Sequence, residues 1–124
     1  MEFKAHHRSF PVRDIDTSIR FYREVLCLDQ IPRPESFKFP GAWFQAGSCQ
    51  VHLIQFKEGD DVGTPPTSIN PLGSHTAFST LDYEETLAYF KDKAIDVFET
   101  NVDMGQMWIK DPDGHVLEFI AIPA

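Results

Sequence analysis

An internal repeat constrains this chain more than any other feature. HHRSFPVRDIDTSIRFY (6–22) lies over SHTAFSTLDYEETLAYF (74–90) without a gap. His7 falls on His75, Phe10 on Phe78, Asp14 on Asp82, Asp16 on Glu84, Ser18 on Thr86 and Tyr22 on Phe90. Each copy opens as a strand and continues as a helix. The first helical stripe is Ile15, Ile19, Tyr22 and Leu26; the second is Tyr83, Leu87, Phe90 and Ala94, at the same +4, +3, +4 spacing. Acidic residues at 14, 16, 82, 84 and 85 stand where the helices begin, which suits capping and the helix dipole.

Three strand-like segments follow each helix: roughly 28–33, 41–47 and 49–56 in the first half, and 95–101, 105–110 and 115–122 in the second. DPDG (111–114) is a turn signal that makes a hairpin of the last two. Each half therefore reads β-α-β-β-β. The expected class is α+β, a single domain of two tandem βαβββ modules (1–57 and 74–124). The Gly-, Pro- and Asp-rich stretch EGDDVGTPPTSINPLG (58–73) joins them. Its length suits a junction between modules.

Composition closes off several classes of function. The chain has 124 residues, 42% of them hydrophobic, with 11 Phe, which fits an ordered globule. A net charge of −8 argues against nucleic acid as a partner, because phosphate binding needs clustered Lys and Arg. No apolar run reaches the roughly 20 residues that span a bilayer, so no membrane partner is expected. MEFKAHHRSF lacks the apolar core of a signal peptide, so a cytoplasmic location is expected. On that basis Cys27 and Cys49 are expected to be reduced core thiols.

Strand parity sorts the histidines. If Phe10 and Val12 face the helix, His6 and Arg8 share their face, while His7 and Ser9 point the other way. In the second module Thr76 and Phe78 face the helix and His75 faces away. Glu118 sits within VLEFIAI (116–122), an apolar run in which an ionised carboxylate needs a partner. Sliding HLI (52–54) onto EFI (118–120) sets His52 on Glu118. One histidine on an apolar strand is usually a hydrogen-bonded core residue. Four candidates at repeat-related places point instead to a shared site, if the modules pack about a pseudo-twofold axis. His7, His52, His75 and Glu118 form an N/O ligand set suited to Zn, Ni, Fe, Co or Mn, and a poor one for Ca or Mg. Ser9, Trp43, Phe44, Met107 and Trp108 are candidates for the surrounding substrate pocket.

The sequence resembles the vicinal oxygen chelate superfamily, which includes glyoxalase I, bleomycin-resistance proteins and extradiol dioxygenases. HHRSFPVRDIDTSIRFYREVLCL, QVHLIQF, SHTAFST and the closing DPDGHVLEF carry the likeness, and DPDG-x-x-x-E is its most specific piece. RPESFKFPGAWFQAG, VHLIQ and INP are similar to a glyoxalase-I-like subgroup of small single-domain proteins. The resemblance implies paired βαβββ modules, each curving a sheet around a metal cavity, and commonly a homodimer. It also implies that His7, His52, His75 and Glu118 match the four ligand positions of glyoxalase I and related epimerases. The position of His52 is often Glu or Gln in those enzymes, so an imidazole there departs from the glyoxalase pattern.

The expected function is that of a metal-dependent isomerase or lyase. It would act on a small molecule whose neighbouring oxygens chelate the metal, with Glu118 as catalytic base. The alternatives are a single-domain extradiol-type dioxygenase, and a non-catalytic binding or resistance protein holding a flat ligand between Trp43 and Trp108. A thiol transferase acting on a phosphonate would need cationic side chains near the cavity, and no basic tail follows Glu118 to supply them.

Overall fold

Asp14 and Asp82 start the two helices in the same way. Each has extended backbone and turns a carboxylate oxygen towards the first helical turn. Asp14 accepts from the Asp16 amide at 3.2 Å and Asp82 from the Glu85 amide at 2.9 Å. Such caps satisfy amides that a helix leaves without partners. The computed structural model describes residues 1–101 and 103–123. Its chain divides into two units, Met1–Thr64 and Pro65–Ala124, with the boundary inside the 58–73 connection.

The first unit contains β1 (His7–Val12), α1 (Ile15–Arg20), a π-helical turn (Phe21–Val25), β2 (Asp29–Ile31), β3 (Gly41–Ala46) and β4 (Cys49–Gln55). The second contains β5 (Thr76–Thr80), α2 (Tyr83–Asp92), β6 (Phe98–Thr100), β7 (Gln106–Lys110) and β8 (Val116–Ala121). The sheets run β1-β4-β3-β2 and β5-β8-β7-β6. In each, the first strand pairs parallel to the last, and the other neighbours are antiparallel. This is the α+β, twice-repeated βαβββ architecture that the repeat requires.

Each sheet packs one face on its own helix. In the first unit Phe10 and Phe44 lie 5.8 and 6.1 Å, ring to ring, from Tyr22. Phe10, Val12, Tyr22, Ala42, Phe44, Val51 and Leu53 are buried. In the second, Phe119 stacks on Phe78 at 5.4 Å and meets Phe90 of α2 at 5.0 Å, edge to face. Met107, Ile109 and Leu117 complete that layer, all fully buried. Side chains alternate along a strand, so the opposite faces carry the residues of even number in β4, β7 and β8 and of odd number in β1 and β3. No described helix is long and apolar enough to cross a membrane.

The repeat slips by one residue after Tyr22. The Leu28 amide donates to Tyr22, whereas the Ile95 amide donates to Phe90, one residue nearer, and the π-helical turn absorbs the difference. Cys27 (φ 57°) is therefore the counterpart of Ala94 (φ 58°), each closing its helix in the left-handed region. The expected pairing of Leu26 with Ala94 on the helical stripes is corrected: Ala94 is an exposed cap. Cys27, expected in the core, is exposed at the matching place.

DPDG forms the turn between β7 and β8. The Asp111 carboxylate accepts from the Asp113 and His115 amides at 2.9 and 2.8 Å, and Gly114 takes φ 91°. The turn fixes the register that places Trp108 opposite Glu118.

Candidate functional site

The two sheets present matching rows on the faces turned away from their helices. In the first unit the row is Ser9, His52, Trp43 and Ile31; in the second it is Ala77, Glu118, Trp108 and Phe98. A tryptophan thus stands opposite each last-strand candidate ligand. Phe44 and Met107, expected at the pocket, are corrected: both alternate onto the helix-facing side, where burial is complete. The parity that singles out His52 and Glu118 assigns their neighbours Phe44 and Met107 to the core.

Glu118 is buried, at 5% exposure, and both of its oxygens are engaged. Oε1 lies 3.0 Å from His75 Nε2 and Oε2 accepts from Gln106 Nε2 at 2.8 Å. Gln106 is fixed in turn, because its Oε1 accepts from the Thr100 hydroxyl at 3.4 Å, and that hydroxyl accepts from Trp108 Nε1 at 2.9 Å. His75 Nδ1 faces the Gly73 carbonyl at 2.9 Å and meets Trp108 edge to face at 4.6 Å. A carbonyl only accepts, so Nδ1 carries a hydrogen and, in the neutral ring, Nε2 presents a lone pair to the carboxylate. That contact requires either a second ring proton or a shared cation. Two ligand atoms about 2.1 Å from one transition metal stand roughly 3.0–3.4 Å apart, which the His75–Glu118 separation matches. An outer hydrogen bond fixing the histidine tautomer is also what a ligating imidazole needs. This pair fits a divalent metal.

The histidines of the first unit are arranged differently. His52 is sandwiched, with Trp43 on one face (4.0 Å, planes 2° apart) and His7 on the other (3.9 Å, 14°). Its Nε2 lies 2.8 Å from Gln50 Oε1 and so carries the hydrogen, leaving Nδ1 as the lone-pair atom. Burial, then the neighbouring His7, His6 and Arg33 charges, push the His52 pKa down to about 4. It is neutral at ordinary pH, as a ligand must be. Lone pairs lie in the ring plane, so two stacked imidazoles do not aim at one point. His7, exposed at the start of β1, would have to turn for both to ligate one cation. His6 precedes the strand, where alternation does not apply, and its Nδ1 lies 2.8 Å from that of His7. It was expected on the helix side. Within neither unit, among the described residues, are three His, Cys, Asp or Glu side chains gathered as a ligand group.

Three residues escape the sequence reading. Gln50 and Gln106 orient His52 and Glu118, and alternation along β4 and β7 could have found them on the correct faces. Arg33 falls at the end of the strand expected over 28–33, but β2 stops at Ile31, so its place is set by the loop that follows and not by strand alternation. Its guanidinium sits over the rings of Phe37 (5.4 Å) and Phe39 (4.7 Å), with Nη2 donating to the Phe39 carbonyl at 2.7 Å. The first unit also holds a cavity of about 730 Å³ whose lining includes Ser9, Pro11, Phe39 and Ile54.

Residues 4–119 match the family described as the Glyoxalase/Bleomycin resistance protein/Dioxygenase superfamily. This chain belongs to that superfamily. It is 31% identical over 118 residues to Glyoxylase I 4 of Arabidopsis thaliana, covering 91% of this chain and 67% of the relative. It is 26% identical over 120 residues to Metallothiol transferase FosB of Staphylococcus epidermidis, covering 92% of this chain and 78% of that one. Among solved structures, a glyoxalase family protein from Bacillus anthracis superposes with a TM-score of 0.78 at 23% identity. The match covers 98% of this chain and 96% of that one, and shares the fold.

Proposed function

We propose that this superfamily member is a metal-dependent isomerase or lyase acting on a small molecule with two neighbouring oxygens. The observation that carries the proposal is the His75–Glu118 contact, in which a histidine of fixed tautomer presents Nε2 to a buried carboxylate at 3.0 Å. In the second unit His75 and Glu118 are the residues that would hold a metal; in the first, His52 and a reoriented His7 are the candidates. A bound divalent cation would supply positive charge against the negative charge that develops on substrate oxygen.

Glu118 is the base in this reading. It removes a proton from carbon beside a carbonyl and returns it at the neighbouring position. Gln106 holds Oε2 from one side, so the carboxylate keeps its direction while Oε1 accepts or releases the proton. Trp43 offers a flat apolar surface beside His52, with the Ser9 hydroxyl in the same row, and Trp108 offers one beside Glu118 in the second unit. The similarity to Glyoxylase I 4 favours this chemistry.

The test is proton exchange. Metal-loaded protein in D₂O is incubated with small α-hydroxy-ketones and 2-oxoaldehyde–thiol adducts, and deuterium entry is followed by NMR. The expected result is exchange in the wild type and none in Glu118→Gln. Oxygen uptake with catechols, and no exchange, would replace the isomerase with a dioxygenase.

A transferase is the second reading, and Arg33 favours it. Arg33 supplies a cation beside the His52 face for an anionic substrate, and Metallothiol transferase FosB is a relative. Thiol consumption with a small electrophilic phosphonate, in place of exchange, would select it.

A further inference from the structure

Arg33 has a cradle and, among the described residues, no counter-ion. Nη2 donates to the Phe39 carbonyl, and two phenylalanine rings lie under the guanidinium. Among the described residues no carboxylate pairs with it, in a chain that carries 19 acidic residues against 11 Lys and Arg. A guanidinium has five N–H donors, and a carbonyl uses one. The remainder of the fork is left for something else.

Gly41 allows the guanidinium to lie on the sheet. A Cβ there would stand 3.0 Å from Arg33 Cζ and Nη2, and 2.6 Å from the Leu53 carbonyl oxygen. Gly41 alternates with Trp43, so this is the face that carries His52. Phe37 joins the two places, with its ring 5.8 Å from Trp43 and under Arg33. Two residues along a strand advance about 7 Å. The guanidinium therefore stands about one side-chain row from His52, the length of a small bifunctional acid.

We propose that Arg33 is the anchor for an anionic group, a carboxylate or a phosphonate, on the molecule that occupies the His52–Trp43 face. A forked guanidinium matches either anion with two parallel hydrogen bonds, which a lysine cannot reproduce. The aromatic cradle keeps the cation in place without neutralising it. The neighbouring cavity carries Asp60 and Asp61 against the one cation Lys57, a lining that suits the anion less well than the Arg33 fork does. This assignment rests on reading that face as the substrate face, and it specifies the substrate as an acid.

Full-length protein stripped of metal with a chelator is titrated with acetate and, separately, with methylphosphonate. NMR follows the Arg33 Nε–H and the Trp43 indole N–H. Saturable shifts of both signals are expected with at least one anion, and the tighter one identifies the acid. Arg33→Met should weaken binding about tenfold or more, and Arg33→Lys should recover part of it. No saturable shift in the wild type, or equal affinity in Arg33→Met, overturns the assignment. Metal uptake is measured on the same samples from the cobalt absorption spectrum. Cobalt bound without anion shifts would remove Arg33 alone. Anion shifts without cobalt uptake would support Arg33 and remove the metal.

Discussion

Gln106 donates to Glu118 across the β7–β8 hairpin at 2.8 Å, leaving the other carboxylate oxygen 3.0 Å from His75. The amide divides the work of the two oxygens: one is held, the other faces the candidate metal partner. Gln106→Leu keeps the bulk and loses the donor. Metal-free protein should retain its fold, with a loss of about 1.5–3 kcal/mol for a hydrogen bond to a buried charge. Proton exchange should fall together with metal affinity, by the roughly 10–100-fold that follows when a ligand loses the hydrogen bond that orients it. Denaturant unfolding and metal titration of the same variant check both.

Asp111 should be worth more to stability than any exposed acid. Its carboxylate is buried and closes the β7–β8 turn through two amides. Asp111→Ala leaves both amides without that acceptor and should cost about 2–4 kcal/mol, read as a lower urea midpoint. An unchanged midpoint would mean that the turn holds itself.

The repeat was legible because it rests on periods that sequence displays. Phe10, Tyr22, Phe78 and Phe90 mark strand and helix faces, and Asp14 and Asp82 mark helix starts. It was illegible where the backbone breaks period: the extra residue in the π-helical turn leaves no mark in YREVLCL, and Cys27 and Ala94 take the left-handed cap without a glycine to announce it. At the site, alternation assigns His52 and Glu118 each to the face turned away from its own helix but is blind to ring orientation, so the His7–His52 stack was not foreseen. The strand expected over 28–33 stops at Ile31, so Arg33 reaches its place by a loop path and a cradle of rings.

Tyr83 and His52 set opposite pH limits on stability. Burial, then the hydrogen bond and charge of Glu99, raise the Tyr83 pKa to about 12 from 10.0. The unfolded tyrosine ionises first, so its contribution is complete below pH 10 and is lost as pH rises towards 12. His52 acts the other way, with its pKa lowered to about 4 from 6.5, mainly by burial. The unfolded state binds the proton first, so metal-free protein should lose stability as pH falls from 6.5 towards 4. Urea midpoints across these windows test both, and Tyr83→Phe should flatten the alkaline limb alone.

We propose a homodimer, the arrangement that the superfamily resemblance implies and the commonest closed symmetry. Light scattering at micromolar concentration should give twice the chain mass of 14.2 kDa. A single-chain mass throughout would count against it.

His52 and Glu118 occupy equivalent places, but they should not be equivalent in metal binding. Glu118 brings a buried carboxylate that would offset a cation, and without it the proposed ligands are imidazoles alone. His52→Ala leaves His7, His75 and Glu118, two nitrogens and a carboxylate, a set that still suits a transition metal. It also removes one layer of the Trp43–His52–His7 stack, which frees His7 to turn. Cobalt titration should therefore show a modest loss in His52→Ala and a larger one in Glu118→Gln, with both proteins folded by circular dichroism. Equal losses would mean that charge at Glu118 is not what retains the metal. A larger loss in His52→Ala would make the stacked imidazole the principal ligand and leave Glu118 as base alone.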